Sequence, residues 1–224
     1  MKNRIKLVAR AGFVLAGLAL LLNCGGGDDT DAQPPLMLVV ASDADAGAAA
    51  RPQVTFTISN GAAVSGTMVI TLLPEYAPAT VANFLAYVNG GFYPNTIIHR
   101  YDAGFVLQGG GYTSPVTATD VPTHKATTAP IALEIKVSNV LGTVAMARGS
   151  ALNSATSEFF INLSNNNTFL DTSAGGYAAF GYISNLTLVN AMKTAPCVSS
   201  TLTTGLGCLP VPNLVITGAT QTRF

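Results

Sequence analysis

Many short β-branched runs, divided by Gly/Pro/Ser/Asn loops and broken by two helical stretches, predict a mostly β protein. The natural arrangement of such elements is a closed antiparallel barrel with helical plugs. A chain of 224 residues, 49% apolar, can bury one such core of roughly 150–200 residues beside an appendage. Only 10% of it is charged, against about a quarter in ordinary soluble proteins. That excludes a long coiled coil, a charged disordered tail and a highly basic nucleic-acid binder.

The elements follow in order. Residues 52–60 (PQVTFTISN) and 66–74 (GTMVITLLP) read as two strands, and the intervening Gly61–Gly66 segment reads as a hairpin loop. From Pro78 to Val88, apolar residues recur at Val81, Phe84, Leu85 and Val88. This is helical spacing, opened by a proline and closed by Asn89-Gly90-Gly91. Short strands return at Thr96–Arg100, Gly104–Gln108, Gly142–Met146 and Glu158–Leu163. A second helix is expected over Leu186–Thr194 and a last strand over Asn213–Thr217. The long loop from Gly111 to Thr128 is expected to be functional or ordered by packing. Gly109-Gly110-Gly111 follows a strand without the lysine of a phosphate loop and reads as a backbone turn.

The amino-terminal segment reads as an address. Lys2, Arg4, Lys6 and Arg10 precede an apolar run of twelve residues, Ala11–Leu22. A spanning helix needs about 20 residues, whereas 7–15 is the size of a signal-peptide apolar region. Cys24 follows at once, and Leu-Leu-Asn-Cys resembles a bacterial lipoprotein leader in which the cysteine carries the lipid. Asn23 departs from the small residue usual there, and an ordinary secretion signal is the alternative. The expected division is a leader at 1–23, a flexible tether at 24–51 rich in Gly, Asp, Ala and Pro, and one domain at 52–224. Without the leader, seven basic residues face eleven acidic ones, a net charge of −4. No phosphate-backbone footprint is present, and no nucleic-acid partner is expected. Cys197 and Cys208 remain as a pair and are expected to form a disulfide worth roughly 3 kcal/mol in the chain-entropy picture. With His99 and His124 far away in sequence, they match no zinc pattern.

The generic catalytic inventory is thin: the chain has no GxSxG, Walker, HExxH or CxxC motif. What stands out is residues 97–110, IIHRYDAGFVLQGG, where an arginine and an amide sit among apolar side chains. A buried guanidinium is costly unless it is paired or set in a pocket wall. The segment is similar to the cyclophilin signature, in which Phe-His-Arg leads through Pro-Gly-Phe to Gln-Gly-Gly. Residues 142–171, GTVAMARGSALNSATSEFFINLSNNNTFLD, resemble the other half of the family as found in bacterial members. Gly175–Gly181 resembles its Phe-Gly strand.

The resemblance implies an eight-stranded antiparallel barrel capped by two helices and peptidyl-prolyl cis-trans isomerase activity, with no cofactor and no metal. It carries the family's arginine onto Arg100 and the amide that reaches substrate backbone onto Gln108. The apolar wall falls on Phe105, Val106, Phe160 and Leu170, and the peptide-pairing strand on Ala147 and Arg148. Val106 stands where Met is usual, Phe169 where animal members have Trp, and Tyr177 where they have His. Glu158 stands where the family usually has Gln. A carboxylate within reach of Arg100 would orient it or neutralise it, and Arg148 offers a second partner. The expected partners are proline-containing polypeptides and, through the lipid, a membrane. The expected setting is a bacterial cell envelope facing the periplasm, with the protein acting as a monomer in folding of secreted proteins. The competing expectation, motivated by Glu158 and Val106, is a catalytically weak module that binds proline peptides as a chaperone.

Overall fold

The computed structural model describes residues 51–224. The expected leader, Cys24 and the tether to residue 50 lie outside the described residues. Eight antiparallel strands close a barrel in the order β1 (Gln53–Ser59), β10 (Leu214–Arg223), β3 (Thr96–Asp102), β4 (Val106–Thr113), β6 (Phe159–Asn162), β5 (Thr143–Met146), β7 (Ala179–Tyr182) and β2 (Ser65–Leu72). β1 and β2 pair in continuous register from Gln53↔Thr71 to Ser59↔Ser65, which is the expected hairpin. Helix α1 (Pro78–Asn89) packs against β10, and α3 (Thr187–Met192) packs against β2. A single further turn, α2 (Asn167–Leu170), was not expected; it lies in the polar stretch after β6.

α1 opens on Pro78, yet its cap comes from far away. The Glu134 carboxylate accepts from Ala79 N at 3.2 Å, Thr80 N at 2.8 Å and Thr80 Oγ1 at 2.7 Å. An anion here satisfies orphan N–H groups and meets the positive end of the helix dipole. Inside the barrel, Phe56, Phe84, Tyr93, Phe159 and Phe180 form an aromatic core with ring centroids 4.9–6.2 Å apart. Burial pushes the Tyr93 hydroxyl pKa well up, and that hydroxyl donates to Ser157 O at 2.9 Å.

Two strands depart from expectation. β4 begins at Val106 and runs through Gly109–Gly111, so these glycines form no turn. They sit where the β3–β4 register slips between Thr96↔Thr113 and Ile98↔Gly109. A Cβ on Gly109 would lie 2.8 Å from Ile97 O, so the close approach of the two strands requires glycine there. β10 continues six residues past Thr217 because β1 offers it a partner from Val215 to Arg223, with two register shifts. Outside the barrel, β8 (Cys197–Val198) and β9 (Leu209–Pro210) form a two-stranded ribbon. The Cys197–Cys208 disulfide closes that loop.

Candidate active site

Strand alternation makes the site. On β6, Phe159 points into the aromatic core, while its neighbour Phe160 joins an outer cluster with Val106, Ala145, Leu170 and Ala179. Phe105, Ala147 and Tyr177 pack on that cluster. Its open side is a cavity of about 320 Å3 lined by Arg100, Gln108, Arg148, Phe169 and these residues other than Ala145 and Ala179, with Leu206 at the rim. Of the eleven residues expected at the substrate site, ten line this one cavity. Glu158 instead lines an adjoining cavity of about 250 Å3, which shares Gln108, Ala147 and Arg148 with the first.

Arg100 is held on three sides. Its Nη1 donates to Gln108 Oε1 at 3.1 Å and its Nη2 to Asp102 Oδ2 at 2.8 Å, while Nε donates to Leu206 O. Asp102 lies two residues along β3 and therefore on the same face of the strand. A guanidinium has five N–H donors, so these contacts leave two free. The guanidinium also lies 5.8 Å from the centroid of the Phe105 ring.

Glu158 meets neither arginine, which corrects both expectations for it. Gln108 Nε2 donates to Glu158 Oε2 at 2.7 Å, and His124 Nε2 lies 2.8 Å from Oε1. An ionised carboxylate only accepts, so it fixes the Gln108 amide with N–H toward Glu158 and C=O toward Arg100. Arg148 is used otherwise. It donates to the carbonyls of Gly149, Ala174 and Gly176 and stacks 4.6 Å over Tyr177, clamping the loop that follows α2.

His124 was not expected here, and it comes from the long loop. Its Nδ1 lies 2.9 Å from Lys125 O, so both ring nitrogens face acceptors and both donate, which is the imidazolium form. The hydrogen bond to Glu158 accordingly raises the His124 pKa, against partial burial. Burial pushes Glu158 up, yet its partners outweigh that and hold it below the usual carboxylate value. His99 Nε2 sits 3.6 Å from Glu158, and burial lowers the His99 pKa against the pull of that carboxylate. The hydrogen bond from His124 is the largest influence holding the Glu158 pKa down, followed by the electrostatic effect of His99 and the hydrogen bond from Gln108.

The pair sets a pH window. His124 titrates above its ordinary 6.5, so its contribution to stability is complete below 6.5 and is lost as pH rises through the raised value. Glu158 titrates below its ordinary 4.5, so its contribution is complete above 4.5 and is lost as pH falls through the lowered value. Unfolding free energy from urea titrations is expected to plateau between the two. His124→Gln should remove the alkaline limb, which solvent screening limits to about 0–1 kcal/mol. An unchanged limb in that variant would assign it to another group.

A donor-bearing arginine beside an apolar groove on the outer wall of a closed barrel is a site suited to gripping an apolar ring and donating to a nearby amide. Residues 54–219 match the family described as cyclophilin type peptidyl-prolyl cis-trans isomerase/CLD. Peptidyl-prolyl cis-trans isomerase A of Dickeya dadantii is 40% identical over 147 residues, covering 64% of this chain and 71% of that protein. Peptidyl-prolyl cis-trans isomerase B of Escherichia coli is 39% identical over 140 residues, covering 62% and 81%. A Streptomyces antibioticus peptidyl-prolyl cis-trans isomerase is 40% identical over 162 residues, covering 69% and 92%. Among solved structures, a cyclophilin type peptidyl-prolyl cis-trans isomerase of Cryptosporidium parvum superposes with a TM-score of 0.58 at 21% identity. That match covers 78% of this chain and 99% of the other, and it supports the fold. The chain belongs to the cyclophilin family and is a peptidyl-prolyl cis-trans isomerase.

Proposed function

We propose that this isomerase is held at a bacterial cell envelope by a lipid on Cys24 and, as a monomer, speeds X–Pro rotation in secreted and envelope polypeptides. The observation that carries the chemistry is Arg100, fixed on three sides with two N–H groups free beside an apolar groove. Rotation about X–Pro is slow because amide resonance is lost on twisting, with a barrier of about 18–20 kcal/mol. In the twisted amide the prolyl nitrogen becomes pyramidal and basic. A guanidinium that donates to that nitrogen, or holds the carbonyl beyond the proline, favours the twisted form over either planar isomer. Phe105, Val106, Phe160 and Leu170 grip the ring and exclude water. Gln108, its amide oriented by Glu158, presents its remaining N–H to the substrate backbone.

A protease-coupled assay on a proline peptide tests the activity, and Glu158→Gln tests the weak-binder reading. That reading needs Glu158 to neutralise Arg100, whereas the acid beside Arg100 is Asp102. Glu158→Gln leaves the contacts of Arg100 itself in place and is therefore expected to change kcat/KM only a few-fold. A gain above about a hundredfold, near 2.7 kcal/mol, would favour the weak binder instead.

The location rests on the basic-then-apolar leader, the cysteine directly after it and the polar tether. Cys24→Ser is expected to release the protein into the soluble fraction or leave it as an unprocessed precursor. A mature chain whose mass shows a free amino terminus beyond residue 24 would overturn the anchor and leave the activity untouched.

A further inference from the structure

Leu206 belongs to no apolar cluster and is 58% exposed. An exposed leucine is by itself unremarkable, but this one lines the groove and its backbone is locked in place. Leu206 N donates to Thr203 O at 2.7 Å, and Leu206 O accepts from Arg100 Nε. Two residues on, Cys208 exchanges both backbone hydrogen bonds with Tyr101, at 2.8 and 2.9 Å, next to Arg100 on β3. Between them, Gly207 has φ +101°, and a Cβ there would collide with Tyr101 O. Earlier in the loop, Leu202 packs on the cluster of Ile97, Val116 and Leu209. The disulfide joins the two ends of this excursion. An otherwise polar loop is thus pinned by a covalent bond, a two-way backbone bridge and a partly buried leucine, and it offers one apolar side chain at the mouth of the groove.

We infer that Leu206 is a specificity-determining residue, a wall of the groove that selects peptides with a large apolar side chain next to the proline. We infer also that the disulfide-closed loop positions Arg100 through the Leu206 carbonyl. The inference rests on the isomerase reading of the groove. The two roles separate by variant, because Leu206→Ala keeps the carbonyl, whereas replacing both cysteines by serine loosens the whole loop and leaves the barrel strands intact.

The test measures kcat and KM in the protease-coupled assay, and peptide affinity by calorimetry, for two proline peptides differing only in a Leu or Gly next to the proline. Leu206→Ala is expected to raise KM and Kd about three- to tenfold for the Leu peptide, as suits a partly exposed apolar contact. It should shift KM and Kd clearly less for the Gly peptide, and change KM more than kcat. The Cys197→Ser/Cys208→Ser variant is expected to lower kcat for both peptides while the barrel keeps its cooperative melting. Equal shifts for both peptides in Leu206→Ala, or none, would overturn the specificity role. An unchanged kcat in the serine variant would overturn the positioning role. Wild-type protein that binds peptide without turnover would sink the isomerase reading, and the affinity difference between the two peptides would still judge Leu206.

Discussion

Arg100→Ala is expected to lower kcat/KM by about 100- to 1,000-fold, mostly through kcat. That is the effect, about 2.7–4 kcal/mol, of removing a donor used chiefly in a transition state. The fold should survive, because the side chain lies on the outer wall of the barrel, beside the open groove and outside the aromatic core. Arg100→Lys sharpens the test. Lysine keeps the charge but has neither the planar fork nor the five donors that reach Asp102, Gln108 and the Leu206 carbonyl together. It is expected to recover little of the lost rate, whereas a purely electrostatic role would be largely rescued. An unchanged rate with unchanged melting in Arg100→Ala would overturn the mechanism.

The difference between what the sequence shows and what it hides is one of range. The barrel is legible because strands and hairpins are local: β1, β2 and their loop occupy twenty consecutive residues and carry their own pattern. The core of the site is legible for a similar reason. Arg100, Phe105 and Gln108 fall in one stretch, and Phe160 in a second long motif, so their type and order are enough to mark them. Asp102 was legible in principle, since a strand places residues i and i+2 on one face.

The hidden contacts cross the chain. Glu134 caps a helix 54 residues earlier, His124 reaches Glu158 across 34 residues, and Leu206 receives Arg100 across 106. Each is a single polar or apolar residue in a loop, with no periodicity to mark it. The cysteine pair marked a closed loop but not which face of the barrel it lies against. Glu158 is hidden in another way. Its type marks it as a departure, but the Gln108 side chain stands between it and Arg100, and that intervening amide is a matter of three dimensions.

Two neighbours on β6 turn strand alternation into a measurement. Phe159 is fully buried, with its ring centroid 5.5 Å from Phe56 and 5.7 Å from Tyr93. Phe159→Ala is expected to cost about 3–5 kcal/mol, the transfer of a ring plus the cavity it leaves. The signature would be a lowered urea midpoint with an unchanged m-value, while the protein that stays folded keeps its proline groove. Phe160 faces the other way, 5.8 Å from Tyr177 and against the groove. Phe160→Ala opens space that water can enter, so its larger consequence falls on function. Losing that ring as a contact for proline should lower kcat/KM by about 10- to 100-fold, for an apolar contact of about 1.5–3 kcal/mol. Activity per folded molecule and the urea midpoint, measured on both variants, should therefore move in opposite order of size. If Phe160→Ala keeps full activity while Phe159→Ala loses it in the folded state, the proline ring does not bind on the outer wall, and the site lies elsewhere on the barrel.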